Sequence, residues 1–367
     1  ITGKYAGDCN LPGMRWWEDG TTRSYFTFGR TMNHDLNPKI KLIYEYTTSA
    51  CIFSPVLKGA DYSIPLFGNA VSHIINNWIF FDKLGFHLAK KTLEKKIYQL
   101  LILCLYAVDE LGHLKGCKSK AALDAYKVTD AKIGELEKTL SKTYEDYQLL
   151  IVSDHGLTGT HTHIDLPNVI RSLNFSVRNY PFNFNLKQEI FVGVSGNSMA
   201  NIYLTNGQKN RGKTLDIISR RLTGLQGIDL VLHQNDGVHV LKDDSEAIID
   251  CKNGKYRYES IKGDPLSLEE YSEEWLSEEK WYDATLNTQY PDSTVQISQI
   301  FNSSRVGDLV VTAKNGYDLR TLEFPEHKAS HGSLNKEHML VPVISNKKVV
   351  PRRTTDIFNS ILDYLNQ

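Results

Sequence analysis

Two near-continuous apolar runs, QLLILCLYAV at 99–108 and LLIV at 149–152, bracket a stretch of different rhythm. Uninterrupted apolar segments of this length suit strands buried on both faces, as in parallel sheets. Between them, KAALDAYKVTDAKIGELEKTLSK puts Ala122, Tyr126, Thr129, Ile133, Leu136 and Leu140 at alternating steps of four and three. That spacing marks one face of an amphipathic helix. Strand, helix, strand predicts a βαβ unit, and therefore an α/β core with a parallel sheet flanked by helices.

The pattern changes from about 170 to 300. Short candidate strands (QEIFVGV, MANIYL, IDLVLH, DGVHVL, EAIID, KYRYESI) alternate with turn residues. Helical stretches at Lys213–Leu222 and Leu266–Thr285 interrupt them. This reads as an inserted α+β cap over 171–299, within a core formed by 1–170 and 300–367. Core-like runs return as GDLVVTA and HMLVPVI. The chain closes on TTDIFNSILDYLNQ, whose Thr-Thr-Asp start suits a helix N-cap.

Composition changes this picture little. The 367 residues carry a formal net charge of -1 and are 41% hydrophobic, which is ordinary for a globular chain. Near-neutral charge argues against nucleic acid or an anionic membrane as partner. No apolar run reaches the length of a membrane-spanning helix, and the first residues do not read as a signal peptide. The five scattered cysteines, Cys9, Cys51, Cys104, Cys117 and Cys251, suggest neither a disulfide framework nor a cysteine-based zinc site.

Candidate chemistry lies in three segments at strand exits or glycine turns, the edge where open α/β sheets bind ligands. VDELGH carries Asp109 and His113, SDHG carries Asp154 and His155, and HKASHGSL carries His331, with His327 four residues earlier. Each has a plain structural reading. An Asp and a His four apart are common, Asp-His-Gly favours a turn, and a single histidine can sit in a capped loop. Their occurrence in order, each flanked by small residues, points instead to a metal centre. Two aspartates and three histidines offer the oxygen and nitrogen donors that zinc accepts. Two such ions about 4 Å apart clamp a phosphoryl group.

These segments, together with HMLVPVI and the start ITGKYAGDCNLPG, resemble the type I phosphodiesterase/nucleotide pyrophosphatase family of the alkaline phosphatase superfamily. The resemblance covers the two ends of the chain well and the middle poorly. It implies an alkaline-phosphatase-like core and two divalent metal ions, zinc or manganese. It assigns Asp109, His113 and His331 to one ion, and Asp154 and His155 to the other. The substrate implied is a small phosphoester, hydrolysed through a covalent phospho-enzyme. The family's nucleophilic Thr or Ser and its first-strand Asp precede the TGxY segment. Here TGKY is residues 2–5, so both are expected upstream of Ile1, and Thr2 is read as a packing or capping residue.

The loop after TGKY departs from the family. In place of its phosphate-holding Asn it has LPGMRWW, with Asn10 at the wrong spacing and Arg15 beside two tryptophans. A phosphomonoesterase or phosphonate hydrolase on the same core, and a non-catalytic metal-binding homologue, are the rival readings. His161 and His163 are read as residues of a solvated loop, with an outer-sphere role as the alternative. Trp275, Trp281 and Tyr282 are read as core.

Overall fold

A computed structural model describes residues 1–25, 32–66, 77–178, 188–205, 210–321 and 326–366. They form two units. The first contains Ile1–Tyr5, Tyr25–Asp154 and Val341–Gln367; the second contains Ala6–Ser24 and His155–Leu340.

In the first unit, Leu100–Leu103 pairs in parallel with Ser49–Ile52, which pairs in parallel with Tyr62–Ile64. The parallel pairing expected of the 99–108 run is therefore present. Leu150–Val152 pairs differently, antiparallel with Val343–Ser345. The intervening helix spans Lys120–Thr143 and starts where Ser119 accepts a hydrogen bond from the Ala122 amide at 3.2 Å. Its inner face keeps most of the expected positions, with Ala122 buried and Thr129, Ile133, Leu136 and Leu140 half-buried, and departs from them at Tyr126. Ala122 and Ala125 are buried, whereas Tyr126 is 57% exposed. The cause is close packing. Ala125 sits in a cluster with Trp78, Phe81 and Ala107, where a methyl fits and a phenol does not.

The helix Trp78–Lys95 buries Trp78, Phe81, Phe86, Ala89 and Leu93, and with them one carboxylate, Asp82. The closing helix is Asp356–Leu365. Thr355 already has helical φ and ψ and makes no capping bond. The Asp356 carboxylate instead accepts from the Arg352 and Arg353 amides, each at 2.9 Å.

The second unit is built on a nine-stranded sheet. Its order is Leu276–Ser277, Lys255–Lys262, Ser245–Lys252, Val238–Lys242, Ile228–Gln234, Leu309–Ala313, Met199–Leu204, Ile190–Ser195 and Val177–Arg178. All neighbours are antiparallel except the last two. All six short strands expected between 170 and 300 are therefore present, and GDLVVTA lies in mid-sheet. One core cluster gathers Ile190, Val192, Ile202, Val231, Leu309 and Val311 beneath the helix Arg211–Thr223.

A smaller sheet pairs Thr158–Asp165 in parallel with Gly316–Arg320 and antiparallel with Ala329–Ser330. His161 and His163 thus lie on a strand, not in a solvated loop. Alternating threonines favour extended backbone here. Trp281 is fully buried and its indole N–H donates to the Tyr256 carbonyl at 2.9 Å. Trp275 is outside the core, with the Arg257 guanidinium 5.4 Å from its ring.

Candidate metal centre

In the first unit the strand Leu100–Leu103 runs into the helix Ala107–Lys115. Four residues make about one helical turn, so Asp109 and His113 share a face. Asp109 Oδ1 and His113 Nε2 stand 3.4 Å apart. That is long for a hydrogen bond. It matches the separation of about 3.3–3.4 Å between two ligands of a tetrahedral ion bound at about 2.0–2.1 Å. A carboxylate oxygen beside an imidazole nitrogen is also a zinc-type donor pair, so these residues fit a divalent cation. Burial, and then the neighbouring Asp109 carboxylate, push Glu110 up to about 7.

The start of this helix is held from outside. Tyr106, at the N-cap, makes no side-chain capping bond. Asp82 takes over the role, accepting from the Tyr106 amide at 2.8 Å and the Ala107 amide at 3.0 Å. Burial pushes Asp82 up to about 6 despite these two donors. The Tyr106 hydroxyl donates to the Phe53 carbonyl at 2.7 Å, fixing the turn to the parallel sheet.

Asp154 follows Leu150–Val152 in the same unit. Its charge adds to the burial that pushes Cys104 up to about 12 and raises Tyr106. Asp154 is therefore electrostatically close to the turn that leads into Asp109.

In the second unit His155 and His331 stack, with ring centroids 3.4 Å apart and planes within 3°. Backbone bonds fix His331. Its amide donates to the Gly196 carbonyl at 2.7 Å, and its carbonyl accepts from the Ser198 amide at 2.9 Å. Gly196 has φ +59°, and a Cβ there would lie 2.6 Å from His331 Nδ1. Only glycine meets both demands.

Gly156 is equally constrained, since a Cβ would come within 1.9 Å of the Glu337 carbonyl oxygen. Its amide donates to the His338 carbonyl at 2.8 Å. His338 is 3% exposed, and its ring lies between Thr158 Oγ1 at 2.7 Å and Ser333 Oγ at 2.7 Å. Burial, and then His155, hold it down at about 4. It is a neutral support behind the turn that carries His155.

Three supports escaped the sequence reading: Asp82, Gly196 and His338. Only Asp82 left a usable signal, as one carboxylate inside the apolar run WIFFDKLGF.

The remaining candidates have structural partners. Asn10 accepts from Ser303 Oγ at 2.7 Å. Arg15 is buried and its Nε donates to Ser24 Oγ at 3.3 Å. Other arginines occupy the adjacent indoles, Arg305 over Trp16 at 5.1 Å and Arg178 over Trp17 at 4.5 Å. Thr2 Oγ1 accepts from the Lys4 amide at 3.1 Å, the local capping role expected of it. His163 is gripped by Asp318 at 2.7 Å and Glu326 at 2.8 Å. The His327 carbonyl accepts from Thr160 Oγ1 at 2.7 Å.

This architecture recurs in solved structures along essentially the whole chain. The phosphonoacetate hydrolase of Sinorhizobium meliloti 1021, solved with phosphonoacetate, aligns with a TM-score of 0.58 at 15% identity, over 99% of this chain and 82% of that one. Murine ectonucleotide pyrophosphatase/phosphodiesterase 5 gives 0.57 at 14% identity, over 100% and 81%. The human protein gives 0.54 at 13%, over 100% and 81%. The fold is thus the mixed α/β fold of alkaline-phosphatase-like hydrolases.

Residues 2–334 match the sequence profile of the type I phosphodiesterase/nucleotide pyrophosphatase family. The protein belongs to that family of phosphoester hydrolases, as its motifs implied. No curated protein matches its sequence. No helix among the described residues is long and apolar enough to cross a membrane.

Proposed function

We propose that this protein hydrolyses a phosphodiester or nucleotide pyrophosphate with two divalent cations, zinc or manganese. In this reading Asp109, His113 and His331 hold one ion, and Asp154 and His155 hold the other. The observation that carries it is the Asp109–His113 pair, two donors at the tetrahedral ligand spacing on one helical turn of a family member. The cations supply positive charge against the non-bridging phosphoryl oxygens and lower the pKa of an attacking hydroxyl.

The chain's own residues aim the donors. Asp82 sets the helix that carries Asp109 and His113, Gly196 lets the backbone close on His331, and neutral His338 supports the turn of His155. The segment 171–299 is assigned the role of substrate-selecting cap.

In this reading a Thr or Ser hydroxyl takes the phosphoryl group, giving a covalent phospho-enzyme.

A second reading, phosphonate or monoester hydrolysis, draws on the shared fold of the S. meliloti enzyme. The experiment compares bis-p-nitrophenyl phosphate, p-nitrophenyl phosphate and phosphonoacetate, using the full-length protein as purified, after chelation, and after zinc or manganese is restored. Diester turnover that is lost with chelator and regained with metal is expected. Preferential turnover of the monoester or phosphonate selects the second reading. Turnover unaffected by chelation would overturn the metal assignment.

A further inference from the structure

Three neighbouring strands of the nine-stranded sheet place two imidazoles and a carboxylate together. His233 on Ile228–Gln234 stands opposite His239 on Val238–Lys242 in register. Cross-strand partners project from the same face. Their rings stack with centroids 4.6 Å apart and planes within 10°. Glu246, from Ser245–Lys252, accepts from His239 Nδ1 at 2.9 Å. All three line one cavity of about 1070 Å³ in the second unit.

A carboxylate accepts, so His239 Nδ1 is the donor to Glu246 and Nε2 is the ring nitrogen left to ligate. Carboxylate–imidazole–metal chains are built this way, with the acid fixing the tautomer and raising the basicity of the ligating nitrogen. Burial, and then His239, hold the His233 imidazole below its usual range. The lone pair of His233 is therefore available at neutral pH. Two imidazole nitrogens bound to one tetrahedral ion stand about 3.3 Å apart. Binding one ion requires the two rings to turn out of the stacked arrangement until a nitrogen of each converges on it.

We propose that His233 and His239 form a cation site separate from the Asp109–His113 pair, taking a borderline divalent ion such as Zn²⁺ or Ni²⁺. Glu246 acts as its positioning residue. An ion bound there ties Ile228–Gln234 to Val238–Lys242 and faces a cavity roomy enough for water or a small ligand to complete its coordination.

The test is zinc titration of the full-length, chelator-stripped protein by calorimetry. His233→Gln and His239→Gln should each lose one equivalent of bound zinc. Zinc-restored hydrolysis of bis-p-nitrophenyl phosphate should stay unchanged. Glu246→Gln should keep that equivalent but weaken it by about 10- to 100-fold. His113→Ala should leave it intact, which separates this site from the centre proposed above. Unchanged stoichiometry in both histidine variants overturns the proposal. Should either variant unfold, the imidazole nitrogen resonances of the wild-type protein decide. Shifts of His233 and His239 on zinc addition uphold the site, and unmoved resonances reject it.

Discussion

Asp109 and His113 are placed by one helical turn, whereas His331 is placed by a crossing of distant backbone. In the first case four residues of sequence fix both side chains, and one remote carboxylate, Asp82, completes the helix start. In the second, His331 depends on Gly196 and Ser198, more than 130 positions earlier in the chain. The difference teaches where each segment is fragile. The helix pair is vulnerable at its own donors, because its frame is local. The His331 loop is vulnerable at its frame, because a glycine with no chemistry of its own decides where the ring sits.

That contrast can be tested directly. The largest effect is expected from His113→Ala or Asp109→Ala. Each should cut metal-dependent turnover by roughly 10³-fold or more while changing the thermal midpoint little, since several kcal/mol of charge stabilisation are lost. Bis-p-nitrophenyl phosphate kinetics beside a circular dichroism melt check this, and a variant that keeps its turnover would break the helix half of the comparison.

Gly196→Ala should act the other way round, through structure. A left-handed non-glycine residue costs about 1–2 kcal/mol, and the contact with His331 adds to it. The urea midpoint should fall together with kcat. An alanine variant as stable and active as the parent would break the loop half.

Asp82→Asn should have a smaller and pH-dependent effect. The carboxyl is raised in the folded protein to about 6. A raised acid contributes its full stability below the unfolded pKa of about 3.9 and loses it as pH rises through 6. On the order of 2–3 kcal/mol of stability should therefore disappear between pH 4 and pH 7 in the parent. In the asparagine variant that portion of the slope should vanish. Equal slopes from urea unfolding at the two pH values would show that Asp82 does not titrate in this window. The smallest effect is expected from Thr2→Ala. Exposed local bonds between its hydroxyl and Lys4 are lost, so stability should move by less than about 0.5 kcal/mol, and kcat not at all.

Much of the fold was legible because its signals are local. Apolar runs marked Leu100–Leu103 and Leu150–Val152, and short segments set off by turn residues marked the strands between 190 and 262. The partner of Leu150–Val152 was not legible, because an apolar run states burial and not which distant strand supplies the hydrogen bonds. On Lys120–Thr143 the spacing marked the helix and most of its inner face, but the tight packing beside Trp78 and Phe81 takes Ala125 and leaves Tyr126 exposed. The five proposed donors stand in motifs that the sequence alone displays. Their supports do not, since Gly196 owes its role to one backbone angle and one contact.

The central position of Leu309–Ala313 in the nine-stranded sheet also bears on how the chain is made. Its neighbours, Met199–Leu204 and Ile228–Gln234, emerge from the ribosome well before it. Synthesis at about 5–20 residues per second leaves a delay on the order of 5–20 s between residues 204 and 313. Until then the borders of Met199–Leu204 and Ile228–Gln234 lack the strand that joins them in the finished sheet, and open strand edges of this kind are what expose a nascent chain to aggregation.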